Sequence, residues 1–295
     1  MEERRAILIA GPTASGKSAF AMQLARERDG VIVNADSMQV YDQLRVLTAR
    51  PSVEDEEELP HRLYGHVDIR HSYSVAQWLG DVEAELQRIA DEGKQAIIVG
   101  GTGLYFNALT MGLSPIPEVQ PEIREYWRRE AGRREPQDLF EELRKLDPLT
   151  AAGLRETDPQ RIVRALEVFQ STGRPLADWQ REKGLPLLSE GSWEGFVVAP
   201  DRNEIYARAD KRFDQMIAEG ALEEVRLVRD MGLDPGLPGM RALGVKALID
   251  YLDGALALEE AVAASKTQTR QYVKRQLTWL RRYMISWNAA IAKLN

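Results

Sequence analysis

The segment GPTASGKS (11–18) constrains what this chain can fold into more than any other part of it. It fits G-x-x-x-x-G-K-[ST], a loop that wraps phosphates with backbone N–H groups at a helix N-terminus. A short apolar run, AILIA (6–10), leads into it. AFAMQLARER (19–28) follows, with Phe20, Leu24 and Arg28 at helical spacing and good helix formers throughout. Strand, glycine loop and helix in that order are the opening unit of a parallel α/β sheet. In the loop, Gly11, Thr13, Ala14, Ser15 and Gly16 would present backbone to a diphosphate, Lys17 would add a point charge, and Ser18 would offer a hydroxyl to Mg²⁺. The usual occupant is ATP or GTP, but the loop specifies only a diphosphate.

The rest of the N-terminal half continues the alternation. VIVNAD (31–36) reads as a second buried strand, and VAQWLGDVEAELQRIADEGK (75–94) as an amphipathic helix with Trp78, Val82, Leu86 and Ile89 on one face. QAIIVGGTG (95–103) is a third strand ending in glycines. The expected fold is α/β: a P-loop NTPase-like parallel sheet with helices on both faces. Ligands in such sheets sit beyond the carboxyl ends of the strands, so the loop, NADS and GGTG should converge on one edge. The acidic run EDEEE (54–58) reads as a solvated loop or helix start. SPIPEVQP (114–121) is a proline-rich connector into charged helical sequence, and EGFVVAP (194–200) returns to a strand pattern. The expected division is therefore 1–116 core, 117–190 helical insertion, and 191–295 the remainder of the core with basic terminal helices.

Composition narrows the classes. The chain of 295 residues is 44% hydrophobic and 29% charged, as in globular proteins, and has no cysteine, which excludes disulfides, cysteine-ligated metals and thiol nucleophiles. The five apolar residues after MEERR are too few for a signal peptide or a membrane span, so a cytoplasmic, membrane-free chain is expected. His61, His66 and His71 are five apart, a spacing that suits no zinc site. The net charge of −7 argues mildly against nucleic acid, but phosphate contacts need only a local patch.

Such patches exist. In DPQRIVRALEVF (158–169), Asp158 suits an N-cap and Pro159 the first helical position, leaving Gln160, Arg161 and Arg164 near the positive end of the helix, with Ile162, Leu166 and Phe169 as its buried face. Two arginines there favour an anionic partner. KTQTRQYVKRQLTWLRR (266–282) carries six basic residues and no acidic one. On a helix, Val273, Leu277, Leu280 and Met284 form its core stripe, Arg270, Lys274 and Arg281 flank it, and Arg275 and Arg282 point away. RREAGRRE (128–135) is a weaker cluster. Near the loop, Asp36 could bind Mg²⁺, accept a proton or cap the next helix, and Thr102 offers a hydroxyl in the same cleft.

Taken together, GPTASGKS, NADSMQVY (34–41), GGTGLYFNAL (100–109), DPQRIVRALEVF and YVKRQLTWLRR (272–282) resemble the tRNA dimethylallyltransferase family in order and over nearly the whole chain. The resemblance implies transfer of a dimethylallyl group from its diphosphate to N6 of the adenine 3′ to the anticodon, with Mg²⁺ as cofactor and tRNA and dimethylallyl diphosphate as partners, by a chain acting as a monomer. It implies that Thr13, Ser15, Gly16, Lys17 and Ser18 bind the diphosphate, Asp36 takes the N6 proton and Thr102 positions the reacting groups. Ser37, Met38 and Gln39 would line the adenine and anticodon-loop site. The QRIVR segment (Gln160, Arg161, Ile162, Val163, Arg164), Arg241 and Lys246 of RALGVK, and Arg270, Lys274 and Arg281 would contact tRNA. YARADKRF (206–213) resembles a segment that supplies a diphosphate-binding arginine, with Arg208 the first choice and Arg212 the second. VLTARP (46–51) departs from the family's usual IGTAKP, so no role is carried onto it. A small-molecule kinase using ATP shares the loop and the acid but gives no reason for a carboxylate-free basic helix. A nucleotide-regulated RNA-binding protein explains that helix but not why Asp36 and GGTG meet the phosphate site.

Overall fold

The computed structural model describes residues 6–284 and 286–290. Six strands, β1 (Ala6–Ala10), β2 (Gly30–Asn34), β3 (His61–Arg62), β4 (Gln95–Gly100), β5 (Trp193–Val198) and β6 (Asn288–Ala290), form one sheet in the order β3-β2-β4-β1-β5-β6, and every pairing is parallel. Between them run α1 (Lys17–Arg28), α2 (Val53–Glu58), α3 (Val75–Asp91) and α4 (Gly103–Met111). The chain then forms α5 (Pro121–Arg133), α6 (Pro136–Leu146), α7 (Pro148–Ala151), α8 (Pro159–Thr172) and α9 (Leu176–Arg181). It ends with α10 (Arg202–Ala218), α11 (Ala221–Asp230), α12 (Val245–Leu252) and α13 (Leu258–Tyr283).

The strands are apolar throughout because both faces of the sheet are covered. Leu8, Val31, Val33 and Ile98 face Trp78, Val82, Leu86 and Ile89 of α3, together with Tyr105, Phe106 and Leu109 of α4. Ile7, Ile9, Ile32, Ile97 and Val99 face α1. The face of α1 that packs there is Ala21 and Ala25, rather than the Phe20–Leu24–Arg28 row the spacing suggests; small residues let the helix lie close against the strands. A third cluster joins Val40, Tyr41, Leu44 and Leu47 to Phe213, Met216 and the helices α11 and α12.

The chain divides into two compact units, one of residues 1–110 with 187–295, the other of residues 111–186. The second is all helical and has its own core, in which Trp127, Leu139, Phe140, Leu143, Ile162, Ala165 and Leu166 meet. Its hub is Asp147, fully buried, whose carboxylate accepts N–H bonds from Thr150 (2.9 Å) and Leu176 (3.2 Å).

Trp78 is the largest fully buried side chain. Its indole N–H donates to the Asn34 carbonyl (2.8 Å), and its ring stacks on Tyr105 at 4.1 Å between centroids. Trp78→Ala is therefore expected to lower unfolding free energy by about 3–5 kcal/mol, measured by urea denaturation.

Candidate active site

The sheet delivers three strand ends to one place. At the end of β1 the chain turns through Ala14 (φ 62°) and Gly16 (φ 91°) into α1, whose N-terminus is capped by no side chain. Left-handed backbone at these positions turns successive N–H groups into one hollow, which with the open helix end favours an anion. Gly11 does not take part: its N–H donates to the Gly100 carbonyl (3.2 Å), and it lies buried beneath the loop. The Ser15 hydroxyl is buried with no partner.

At the end of β2, Asn34 fixes the turn. Its side chain accepts the Asp36 N–H (2.8 Å) and donates to the carbonyls of Asp36 (3.0 Å) and Leu63 (3.1 Å). Asp36 is thereby aimed at the loop, and one carboxylate oxygen accepts the Met38 N–H (2.9 Å), closing a turn; no helix starts here, so the expected helix-capping role is not the one it plays. At the end of β4, Gly100 has room for no side chain, since a Cβ would fall 2.0 Å from the Ala35 carbonyl oxygen. What the glycine admits is thus the neighbouring strand's backbone. The Thr102 hydroxyl accepts the Ser37 N–H (2.9 Å) and donates to the Ser37 hydroxyl (3.3 Å).

These ends open into a cavity of about 230 Å³. Its polar wall holds Thr13, Asp36, Ser37, Tyr272 and three arginines, Arg212, Arg241 and Arg275; its apolar wall includes Met38, Leu47, Ala209, Phe213 and Met216. Burial pushes the Lys17 ammonium down to about 8, with Arg212 adding to the fall and Asp36 opposing it. Burial likewise holds the Arg212 guanidinium below its usual value, Asp36 again opposing. Two partly buried cations, with one nearby carboxylate, are stabilised when an anion enters.

Several expected residues sit elsewhere. Arg208 pairs with Glu204 (3.1 Å) along the outside of α10, while Arg212, one turn on, donates to the Thr13 hydroxyl; the loop arginine is therefore Arg212. Gln39 spends its amide on the carbonyls of Thr48 (2.9 Å) and Ala49 (2.7 Å), and with exposed Ser18 lines a second cavity of about 110 Å³. Arg50, in the atypical segment, is a strut: its side chain is 6% exposed, it donates to the Asp42 carbonyl (3.2 Å), and it lies where a side chain on Gly65 would be. Ile162 is fully buried in the helical unit's core, so it has no surface to offer RNA, and Val163 is partly covered. Asp158 caps α8 as its sequence suggests, but Arg161 has Asp158 (3.4 Å) and Arg164 has Glu167 (3.4 Å), so neither lacks an anion; Gln160 is exposed. Phe169, expected on the buried face, is only partly covered.

On the terminal helices, Lys246 pairs with Asp250 (2.8 Å) and Arg270 with Asp210 (2.7 Å). Lys274 is exposed, and Arg281 lines a separate hollow with Arg202. Three residues of α13 were not singled out for the site: Tyr272, Arg275 and Gln276. Arg275 stands off the core stripe as expected, yet lies over the Tyr272 ring (5.5 Å) at the cavity. Gln276 is 6% exposed, accepts the Thr13 N–H (3.0 Å) and donates to the Gly101 carbonyl (3.0 Å). A glutamine falling on the buried face of a helix beside Leu277 was the available signal.

Lys17 also gives a pH dependence. Its charged form binds the anion, and in the free protein half of it is lost near pH 8. Diphosphate affinity should then fall as pH rises above about 8, toward tenfold per pH unit, and Lys17→Arg should remove that fall; calorimetric titration with inorganic diphosphate at pH 7 to 9.5 measures both.

A P-loop α/β protein with a cationic hollow, a carboxylate on the same rim and an apolar chamber beside them is thus defined. A family model described as IPP transferase matches residues 39–283, and one described as isopentenyl transferase matches residues 4–72. The chain is 52% identical over 277 residues to the tRNA dimethylallyltransferase of Bradyrhizobium sp. strain BTAi1, covering 94% of this chain and 91% of the relative. It is 53% identical to that of Methylobacterium nodulans, again over 94% and 91%. Among solved structures, the full-length tRNA isopentenylpyrophosphate transferase of Bacillus halodurans superposes with TM-score 0.68 at 30% identity, covering 98% of this chain and 90% of that one. A eukaryotic dimethylallyltransferase acting on tRNA gives 0.78 at 27% identity, over 95% and 71%. The chain belongs to the tRNA dimethylallyltransferase family.

Proposed function

We propose that this enzyme transfers the dimethylallyl group of dimethylallyl diphosphate to N6 of the adenine 3′ to the anticodon of tRNA, releasing diphosphate. The observation that carries this reading is Arg212, bonded to the Thr13 hydroxyl, and Asp36 on one cavity whose other wall is apolar, with the partly buried Lys17 of the same loop electrostatically coupled to both. Met38, Phe213 and Met216 suit a five-carbon allyl chain and a base edge. The small-molecule kinase reading is not favoured by any of the relatives above.

The N6 lone pair is delocalised into the purine, so it attacks poorly unless the leaving group is good and its proton has somewhere to go. The N6–C1 bond forms as the C1–O bond to diphosphate breaks; the electron pair leaves on oxygen, and the N6 proton passes to Asp36. Lys17, Arg212 and the loop N–H groups meet the charge that builds on that oxygen, a term worth roughly 3–4 kcal/mol per well-placed donor. Thr102, held against Ser37, fixes the floor on which the adenine rests.

Among the described residues no three carboxylates or imidazoles cluster, so a metal cage made by the protein alone is not offered. Mg²⁺ bound chiefly by substrate phosphates and water needs only one or two protein oxygens, and the exposed Ser18 hydroxyl in the first turn of α1 fits that need. When bound there with the donor's phosphates, Mg²⁺ would offset charge on the departing diphosphate.

A splayed-out base from a single-stranded loop is how RNA is generally read in sequence. Arg241, Arg275 and Lys274 are placed to meet the phosphates around such a base, and Gln160, Arg161 and Arg164 supply a second, exposed basic surface on the helical unit, which we assign to tRNA as well. No helix among the described residues is long and apolar enough to cross a membrane. Incubation with radiolabelled dimethylallyl diphosphate and bulk tRNA, with ATP as the competing donor, tests the assignment: label in tRNA supports it, and phosphate transfer from ATP without prenyl transfer refutes it.

A further inference from the structure

We infer that Gln276 is a positioning residue for the diphosphate loop, and that through it α13 sets the geometry of the cradle. This rests on the loop being the donor's diphosphate site. The Gln276 amide, 6% exposed, bridges two strand ends: Oε1 accepts from Thr13 N–H (3.0 Å) in the loop after β1, and Nε2 donates to the Gly101 carbonyl (3.0 Å) after β4. A planar amide that must meet both partners fixes the distance between them. Gly101 is glycine for the same reason, since a Cβ there would fall 2.2 Å from Nε2.

The bridge has a consequence for Thr13. With its N–H turned toward Gln276, its hydroxyl receives the Arg212 guanidinium, so Gln276 orients the residue that holds the leaving-group arginine. On the same helix Tyr272, one turn earlier, and Arg275 line the cavity. A single face of α13 therefore holds the loop and the GG turn in register and walls the cavity beside them, and a shift of that helix moves all three. Gln276 acts through Thr13 and Gly101 rather than on the substrate.

Q276M keeps the volume and removes both bonds; Q276E keeps the acceptor for Thr13 but sets a carboxylate against the Gly101 carbonyl and near the diphosphate; G101A pushes the amide off its place. Calorimetry with inorganic diphosphate, steady-state kinetics with the donor, filter binding of tRNA and thermal unfolding are the readouts. Q276M is expected to weaken diphosphate binding and raise donor KM by about tenfold, with tRNA affinity within twofold of the parent. Q276E is expected to be worse than Q276M. G101A is expected to match Q276M, with the double variant no worse than either. A lowered thermal midpoint with unchanged diphosphate affinity, or additive losses in the double variant, overturns the inference. Failure of the functional reading would show differently: a parent protein that binds diphosphate but never labels tRNA.

Discussion

Asp36→Asn is expected to lower kcat for prenyl transfer by about 10²–10⁴-fold while leaving tRNA affinity within about twofold. Asparagine keeps the oxygen that accepts the Met38 N–H, so the turn built by Asn34 should survive. What is lost is the basic oxygen that takes the N6 proton. Since the proton leaves only as the new bond forms, the loss should fall on the chemical step and not on binding. Single-turnover assays with labelled donor, alongside filter binding of tRNA, separate the two. A variant that turns over like its parent would remove Asp36 as the base and leave it a turn-forming residue.

Arg212→Ala should cost about 10²–10³-fold in kcat/KM for the donor. The guanidinium is buried, bonded to the Thr13 hydroxyl and unopposed except by Asp36, so its removal strips the cradle of one of two desolvated cations. Lysine at the position should recover only part of the loss, because it cannot hold Thr13 and a phosphate oxygen together in one plane. Arg208→Ala is the matched comparison. Its exposed pair with Glu204 contributes little, and donor kinetics should change by less than about threefold. If Arg208→Ala were the more damaging of the two, the assignment of the leaving-group arginine would be reversed.

That choice between two arginines one turn apart shows where the sequence stops being informative. The loop, the strand before it and the Trp78–Val82–Leu86–Ile89 face of α3 carry periodic signals that local sequence alone can express, and each lies where those signals place it. Asp36 and Thr102 were legible because they follow strands, and strand ends in a parallel sheet share an edge. Arg208 and Arg212 sit on the same helix at i and i+4, and nothing local says which end of that pair meets a loop nearly 200 positions earlier. Gln276 and Arg275 lay inside a run that reads as a basic surface; their roles depend on how α13 crosses the strand ends, a long-range fact with no periodicity of its own. Within QRIVR each arginine has a carboxylate three residues away, which local sequence shows but its basic character masks, and Ile162 falls on the core face that its helical spacing marks.

The buried cations have one more effect, on how the reaction ends. Lys17 and Arg212 do not distinguish a diphosphate that is about to leave from one that has already left. The free product should therefore compete with the donor for the same seat, and removal of diphosphate by hydrolysis in the assay should raise the steady-state rate. A hollow shaped to speed departure from carbon also slows departure from the protein, and turnover is set by how the chain balances the two.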